Sequence, residues 1–372
     1  MARLGDVATY INGYAFKPTD WSNEGIPIIR IQDLTGNSYQ TNRYNGKYDP
    51  KYEVNYGDVL ISWSASLGVY VWTGETAVLN QHIFKVQFDK ADVDKDFFVH
   101  QVECILNNAS SEVHGATMKH LTKPIFDALP FYLPKVDEQK KIANELNRVT
   151  SLISLRKQQL SKSDELVKAR FVELFGDPVA DSMTWGQLPL SHYLKSIRYG
   201  TSTPPPFSET GYEFIRATNI KNGQIISSDM KYISEEEAKK IEKCKVFGGE
   251  MIIVRSGVNA GDTCIITDEH CGQYAGYDMI LVFGEALHPI FVNVLINTEY
   301  MDRVVKPLTR RAAQPHLNSE QVQSLPIIQV PYDQQEKFAA FVEQTDKSKF
   351  EIQKSLEKLE TLKKALMQKY FG

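Results

Sequence analysis

The stretch DEQKKIANELNRVTSLISLRKQQLSKSDELVKARFVELFG, residues 137–176, is predicted to form one long helix around which the chain is organised. Strong helix formers fill it, and no proline interrupts it before Pro178. Its apolar residues recur mostly in steps of three, four or seven, which is typical of a helix that buries one stripe. At about 1.5 Å per residue the helix would extend for roughly 60 Å, longer than a compact domain needs.

A second stretch of the same kind, residues 333–372, reads DQQEKFAAFVEQTDKSKFEIQKSLEKLETLKKALMQKYFG. DEQKKIA (137–143) matches DQQEKFA (333–339), and the two preceding HL…LP blocks (120–130 and 316–326) match at the same offset of 196 residues. Both copies also end in Phe-Gly at this offset, so the constant register indicates an internal repeat. We expect five apolar positions to pair the helices or to dock partners: Leu146, Leu160, Phe171, Leu356 and Leu359.

Composition limits the class of protein. The chain has 372 residues, of which 42% are hydrophobic, and two domains are the natural expectation. No apolar run approaches the roughly 18 residues of a membrane span, and the first residues lack the apolar region of a signal peptide. The four cysteines lack CxxC spacing, which favours free thiols in a reducing cytoplasm over a metal site. We therefore expect a cytoplasmic protein with no metal and no cofactor of its own.

The regions before and between the long helices repeat one plan. Residues 1–136 alternate short β-rich runs, such as 26–31 and 59–63, with turn signals, and a helix is predicted near 94–106. Residues 177–332 repeat this order at offsets that slide from 186 to 196, so the copies differ by small loop insertions. The prediction is a mixed α/β (α+β) fold with two repeated globular domains, 1–136 and 177–332, joined by the long helices. Loops that diverge on a repeated scaffold indicate two binding sites with different targets.

The two domain–helix junctions carry a resemblance to a known family. They read Leu133-Pro-Lys-Val-Asp-Glu-Gln139 and Val330-Pro-Tyr-Asp-Gln-Gln335, and Glu173-Leu-Phe-Gly176 ends the first helix. With the order domain, helix, domain, helix, the whole chain resembles the DNA specificity subunit of a type I restriction-modification system. The second junction departs from the first, because Gln334 replaces the glutamate and Pro331 lies one residue closer to its helix.

The resemblance implies a function. Each globular part would be a target recognition domain that reads one half of a split site in double-stranded DNA. The helices would pack antiparallel with a pseudo-two-fold. Two methyltransferase subunits that bind S-adenosylmethionine would dock on them, and restriction or motor subunits would join. The net charge of −4 argues mildly against nucleic acid, but a subunit of a larger complex can keep its basic residues local. Two such groups are Lys119, His120 and Lys123, and Arg303, Lys306, Arg310 and Arg311.

Candidate base-reading residues must lie in predicted loops and carry groups that reach base edges. In the first domain they are Gln32, Asp33, Trp63, Ser64, Ser66, Gln81, His82, Lys119 and His120. In the second domain they are Thr218, Asn219, Arg255, Ser256, Asn259, Tyr277, Arg310, Arg311 and Gln314. Arg30 and Arg216 recur on strands in both copies, which favours a shared scaffold or phosphate role over base reading.

Two other classes of function compete with DNA recognition: an enzyme and a protein-binding scaffold. Thr203-Pro-Pro-Pro-Phe207 superficially resembles the signature of amino-methyltransferases, but Pro204 stands where an amide or carboxylate must accept the hydrogens of the target amine. No glycine-rich loop follows a first strand, so we expect a non-catalytic chain. The rival is a coiled-coil scaffold that binds other proteins, rather than DNA, through two α/β modules.

Overall fold

A computed structural model describes residues 1–38, 40–111, 122–180, 185–309 and 315–372. The chain divides into two compact units. The first unit combines Met1–Arg156 with Ser355–Gly372, and the second unit is Lys157–Lys354. Each unit therefore holds one globular part and one section of each long helix.

The two predicted long helices are confirmed. They run over Val136–Phe175 and Tyr332–Phe371, each 40 residues long. Gly176 follows the first helix with φ of 78°, the left-handed conformation that commonly ends a helix, and its N–H donates to the Val172 carbonyl at 2.8 Å.

The glutamine that ends each junction motif anchors a long helix to its globular part. Gln139 and Gln335 are buried, and each side chain donates to the carbonyl oxygen five residues before it, at 2.8 Å and 2.7 Å. Their side-chain oxygens accept the backbone N–H of Asp94 and of His288, at 2.7 Å and 2.8 Å. A buried amide with all these bonds fixes where the helix begins, which explains in physical terms why both junctions end in glutamine.

Within the second unit the two helix sections pack antiparallel. Lys349 Nζ lies 2.6 Å from Asp164 Oδ1, and the Phe338 ring lies 5.5 Å from the Phe171 ring. The later residue of the first helix, Phe171, contacts the earlier residue of the second, Phe338, so the two helices run in opposite directions. Of the residues predicted to pair the helices, Phe171 belongs to the buried core of this unit and Leu160 is half-buried.

Within the first unit, the second long helix completes the core. Leu366 and Met367 lie in the buried cluster that holds Leu146. Lys363 Nζ reaches Glu103 Oε1 at 2.8 Å, across 260 residues of sequence. The remaining predicted pairing residues are Leu356, which is buried, and Leu359, which is half-buried.

The globular part of the first unit contains two four-stranded sheets. In spatial order the antiparallel sheet is Thr9–Asn12, Ile83–Gln87, Val59–Ser62 and Gly68–Val71. The mixed sheet is Arg43–Tyr44, Ile26–Ile29, Ala77–Leu79 and Glu53–Val54, and its two central strands are parallel. Ala2–Arg3 also pairs with Pro130–Phe131. The helices are Leu4–Val7, Ile31–Leu34, Lys95–Ser111 and Lys123–Ala128, with 3-10 turns at Pro18–Asp20 and Pro50–Tyr52.

The globular part of the second unit repeats the strand order of the antiparallel sheet and of three of the four strands in the mixed sheet. Its antiparallel sheet is Leu194–Tyr199, Met279–Phe283, Met251–Ile253 and Thr263–Ile265, and its mixed sheet is Lys231–Ile233, Tyr212–Ile215 and Tyr274–Ala275. Ile220–Lys221 pairs with Gln224–Ile225, and Gln187–Pro189 pairs with Pro326–Ile328. The helices are Glu235–Lys240, Pro289–Ile296, a π-helical turn Met301–Val305, Lys306–Thr309 and Ser319–Gln323, with 3-10 turns at Leu190–Tyr193, Ala217–Asn219, Glu242–Cys244 and Asp268–His270. The mixed α+β fold and its internal repeat are thus confirmed.

The first β-rich run is shorter than its sequence predicts. The strand that begins at Ile26 ends at Ile29 rather than at residue 31. Asp33 accepts the backbone N–H of Arg30 at 2.8 Å and thereby caps a single helical turn, Ile31–Leu34. Because the Asp33 carboxylate accepts the Arg30 N–H, this N–H is not available for a hydrogen bond to a neighbouring strand, and the strand ends.

Candidate nucleic-acid interface

Three chain segments of the first globular part meet at one end of its antiparallel sheet. Trp63 Nε1 donates to Asn12 Oδ1 at 3.1 Å, and the Trp63 backbone N–H donates to the His82 carbonyl at 3.3 Å. The Gln81 N–H donates to the Tyr14 carbonyl at 2.8 Å. We call this set of residues the first loop corner: 12–14, 63–67 and 80–82.

The backbone of the first loop corner is strained. Ala65 and His82 have φ of 59° and 73°, a left-handed conformation that costs a non-glycine residue free energy. At Gly13 a Cβ atom would lie 2.0 Å from the Asn80 carbonyl oxygen, so only glycine permits this approach. Strain of this kind persists only where the surrounding structure holds it, and it concentrates at functional sites.

Aromatic contacts fix the Trp63 side chain within the first loop corner. Its ring stacks on Phe84, with centroids 5.6 Å apart and planes at 23°, and meets His82 edge-on at 4.9 Å. The structure thus brings Trp63, Gln81 and His82 together, and Ser66 is exposed beside them. Ser64, also predicted from the sequence, is buried beneath the loop, where its carbonyl accepts the Ser62 hydroxyl at 3.2 Å.

The second globular part builds the same arrangement at the equivalent end of its sheet. At Gly200 a Cβ atom would lie 1.6 Å from the Gly276 carbonyl oxygen, which repeats the close approach of Gly13 to Asn80. The Gly200 N–H donates to the Asp278 carbonyl at 2.9 Å. We call this set the second loop corner: residues 199–201, 254–261 and 276–278.

Arg255 lies at the centre of the second loop corner. Its guanidinium carbon is 4.3 Å from the centroid of the Tyr277 ring and 4.9 Å from that of Tyr199. Its backbone N–H donates to Asp278 Oδ1 at 3.1 Å. Burial raises the pKa of Asp278 to about 6, although the hydrogen bond from Arg255 and its positive charge act in the opposite direction.

The substitution Asp278→Asn is expected to stabilise the protein at pH 8 but not at pH 4. The pKa of Asp278 is raised in the folded state from its ordinary value of 3.8 to about 6. The folded protein is therefore most stable below pH 4, where Asp278 is protonated, and it loses this stability as the pH rises to 6 and the buried side chain ionises. A pKa difference of this size corresponds to about 3 kcal/mol, and the asparagine side chain would keep an acceptor for the Arg255 N–H. Chemical unfolding of both proteins at each pH measures the difference. Equal stabilities at pH 8 would show that ionised Asp278 costs nothing.

Side-chain bonds brace the loop that carries Arg255. Ser256 Oγ lies 2.8 Å from His316 Nδ1, and the Asn259 side-chain amide donates to the Ala217 carbonyl at 3.1 Å. The second bond places Asn259 next to the exposed Thr218. Thr218 therefore lies beside the second loop corner. Four residues predicted from the sequence lie within it: Arg255, Ser256, Asn259 and Tyr277.

Two predicted base-reading residues have a structural role instead. Asn219 is fully buried, and its side-chain oxygen accepts the Arg216 N–H at 3.2 Å while its amide donates to two carbonyls. Asp33 accepts the Arg30 N–H in the same way at the equivalent position of the first repeat. Both side chains are used by the scaffold, and we leave both residues out of the proposed reading surface. Gln32, next to Asp33, is half-buried.

The recurring arginines also contact their own domains. Arg30 lies over the Trp21 ring at 5.6 Å and donates to the Gln40 carbonyl at 3.0 Å. Arg216 lies over the Phe207 ring at 5.9 Å and pairs with Asp229 at 2.9 Å. These contacts support the scaffold role predicted from the repeat.

Five of the predicted residues lie outside the described residues: Lys119, His120, Arg310, Arg311 and Gln314. The other basic residues singled out in the sequence form local ion pairs. Lys123 pairs with Asp127 at 2.7 Å, and Arg303 pairs with Asp177 at 2.6 Å. Lys306 pairs with its helix neighbour Asp302 at 2.6 Å. Exposed pairs of this kind contribute little to stability.

Sequence reasoning missed several residues of the loop corners, among them Asn12, Tyr14, Tyr199 and Asp278. Asp278 could have been found, because it stands 196 residues after His82, at the offset of the repeat. Tyr199 joins the corner through strand pairing with Met279, which residue spacing alone does not reveal.

The described part of the chain contains neither a candidate membrane span nor a candidate metal cluster. No helix there combines the length and the apolar character needed to cross a membrane. Among the same residues, no group of three or more His, Cys, Asp or Glu side chains could hold a metal ion.

Comparisons with known proteins agree with this layout. A family model described as "Type I restriction modification DNA specificity domain" matches residues 1–162 and again residues 206–364. The chain is 22% identical to the type I restriction enzyme EcoBI specificity subunit of Escherichia coli, over 99% of this chain and 84% of that one. It is 20% identical to the MjaVIII specificity subunit of Methanocaldococcus jannaschii, over 99% and 90%.

Solved structures show the same fold. The S subunit of a type I restriction-modification system from M. genitalium matches with a TM-score of 0.56 and 14% identity, over all of this chain and 95% of that one. A chain from a study of complex assembly and conformational transition of the type I R-M system matches with a TM-score of 0.52 and 16% identity, over 100% and 96%. Specificity subunits are the DNA-recognition component of these enzymes and not the catalytic one. Since the family model matches most of the sequence in two copies, the chain belongs to the family of type I restriction-modification specificity subunits.

Proposed function

We propose that the chain reads a split site in double-stranded DNA, with one loop corner on each half-site. The observation that carries this proposal is that structurally equivalent positions hold different side chains. Trp63 in the first loop corner corresponds to Arg255 in the second, because each stands six residues after the left-handed glycine, Gly57 or Gly249, that precedes the equivalent central strand. Gln81 corresponds to Tyr277, because each directly follows the residue whose carbonyl oxygen lies against Gly13 or Gly200.

The scaffold beneath these positions is kept. Gly13 and Gly200 make the same close approach, and Asp33 and Asn219 cap the same turn. A kept scaffold with exchanged loop side chains is what two readers of different base sequences require. The exchanged groups include a guanidinium, an amide and aromatic rings, which suit hydrogen bonding and apolar contact at base edges.

In this proposal residues 1–136 and 177–332 are the two target recognition domains, and the long helices carry the partners. Two methyltransferase subunits, each binding S-adenosylmethionine, would dock on the helix faces that lie outside the cores, and restriction or motor subunits would join them. The first long helix exposes large apolar side chains that such docking would cover: Leu152, Leu155, Leu166, Val172 and Leu174. The complex would work in the cytoplasm, where the free cysteines stay reduced. The partners would also supply phosphate-binding charge that a chain with a net charge of −4 lacks.

Family membership favours DNA recognition over the rival protein-binding scaffold. A DNA-recognition subunit and a protein-binding scaffold would both have helices that join two modules. Sequence-specific methylation is the measurement that distinguishes these two functions. Co-expression with the cognate methyltransferase, followed by genome-wide mapping of methylated adenines, should give one bipartite motif. Methylation without any defined motif would contradict the proposed function.

Exchanging the whole first unit for that of another such subunit is expected to change one half of the methylated motif and leave the other half unchanged. The exchange should include 1–156 together with 355–372, because the Glu103–Lys363 pair and the Tyr370–Glu145 hydrogen bond join these segments. Methylome mapping of the chimaera measures the result. As a control, exchanging 355–372 alone should leave both half-sites unchanged. A first-unit exchange that altered both halves would mean that the two domains read DNA jointly.

A further inference from the structure

We propose that Arg255 reads one guanine of the half-site bound by the second domain, through the O6 and N7 atoms that guanine presents in the major groove. This inference rests on the proposed function and names the base that one side chain recognises. Bidentate contact from arginine to these two acceptors is the commonest specific contact between proteins and DNA.

The two tyrosines present the guanidinium in one orientation. The Tyr277 and Tyr199 rings lie 4.3 Å and 4.9 Å from its central carbon and are themselves 44% and 42% exposed. Cation–π contact on both rings restricts a side chain that otherwise loses much rotamer freedom on binding. The Arg255 N–H bond to Asp278 fixes the backbone from which the side chain extends.

The donors of Arg255 are available for a ligand. Among the described residues, no side chain or carbonyl accepts a hydrogen bond from its guanidinium, and its Nε atom is buried without a partner. Other arginines of the second unit are engaged. Arg198 binds both carboxylate oxygens of Glu250 at 2.7 Å, and Arg303 pairs with Asp177. The terminal nitrogens of Arg255 can therefore donate to the acceptors of a base edge.

The repeat distinguishes base reading from phosphate binding. Phosphate contacts position a domain on DNA and carry no sequence information, so both domains need them. Arg255 is equivalent to Trp63, and the first loop corner places no arginine at that position. A side chain that changes between two readers on one scaffold belongs to the sequence-specific part of the interface. An adenine would present a donor at the position of O6, which cannot accept from the guanidinium.

The first experiment compares Arg255→Lys and Arg255→Ala with the wild-type chain in the methyltransferase complex, by methylome mapping. Both variants should accept other bases at one position of one half-site, while every other position keeps its base. Lysine keeps the charge and can donate to guanine but lacks the planar fork, so Arg255→Lys should relax this position less than Arg255→Ala does. Arg303→Ala, which removes an exposed arginine of the same unit, should leave the motif unchanged.

The first measurement of the second experiment uses the wild-type complex, so it needs no variant to fold. Each guanine of the mapped site is replaced in turn by 7-deazaguanine, which lacks the N7 acceptor, and binding of the wild-type complex is measured. One guanine in the second domain's half-site should weaken binding by roughly 2- to 12-fold, because 7-deazaguanine loses one of the two hydrogen bonds of a bidentate contact and keeps O6. With Arg255→Ala, the same replacement should cause no further loss.

Three results would overturn the inference: no sensitive guanine in that half-site, an unchanged motif in Arg255→Ala, or a uniform loss of methylation across all sites with the motif intact. Each of these would leave a bipartite motif in the wild type, so the proposed function would stand. Absence of any wild-type motif would instead refute the proposed function itself.

Discussion

Methylation by the complex is expected to be lost at every site when Leu146 is replaced by aspartate. Leu146 has no exposed surface and belongs to the buried cluster that also contains Phe97, Leu366 and Met367. Removing a buried leucine costs about 2–5 kcal/mol, and burying a carboxylate adds to that cost. A typical domain is stable by only about 5–15 kcal/mol, so the first unit should unfold at working temperature. Thermal unfolding and methylome mapping measure the two effects.

The matched control is Leu155→Asp, on the same helix. Leu155 is 54% exposed, and an exposed substitution usually changes stability by less than about 0.5 kcal/mol. Its unfolding temperature should therefore equal that of the wild type. Methylation by this variant then tests the docking face, because a loss without unfolding would place a partner on the exposed side of the helix. Full methylation by Leu146→Asp would contradict the place of Leu146 in the core.

Lengthening both long helices by four residues is expected to add one base pair to the gap between the half-sites. The insertions belong between Arg156 and Lys157 and between Lys354 and Ser355, where the chain passes from one unit to the other. Four helical residues add about 6 Å and a net rotation of about 40°. One base pair adds about 3.4 Å and, at 10–10.5 base pairs per turn, about 35°. The rotations nearly match, and the translations differ by less than one base-pair step. Methylome mapping should find both half-sites unchanged.

Inserting two residues in each helix at the same places is the control. Two residues rotate a helix by about 200°, which would turn one loop corner away from the DNA and should abolish recognition. An unchanged gap in the four-residue variant would show that the helices do not set the spacing. Recognition that survived the two-residue insertion would lead to the same conclusion.

The sequence predicts the architecture well because the signals for it are periodic. Helical spacing and the constant offset of 196 residues are properties of the chain itself, and the structure contains both long helices and the same strand order in the antiparallel sheets of both domains. The loops that follow Val59–Ser62 and Met251–Ile253 could be located for the same reason, since strand patterns mark where a loop begins.

Roles within those loops depend on geometry that residue types do not encode. Aspartate and asparagine cap turns with the same oxygen that reads a base, so Asp33 and Asn219 looked like readers until their hydrogen bonds placed them in the scaffold. Tyr199 contacts Arg255 across 56 residues of sequence, and only the pairing of strands brings them together. Ser64 and Ser66 have the same side chain, yet one is buried and the other exposed.

The first unit is assembled from both ends of the chain, which affects how the protein is made. A ribosome completes residues 157–354, and with them every segment of the second unit, before it adds the residues that finish the first. Until Leu366 and Met367 are synthesised, the hydrophobic core around Leu146 lacks the side chains that the second long helix contributes. Until Lys363 is synthesised, Glu103 lacks its lysine ion-pair partner. The domain translated first is therefore the last to complete its folding. A premature stop codon just after Lys354 would damage the domain encoded at the opposite end of the gene and leave the nearer one with all its segments.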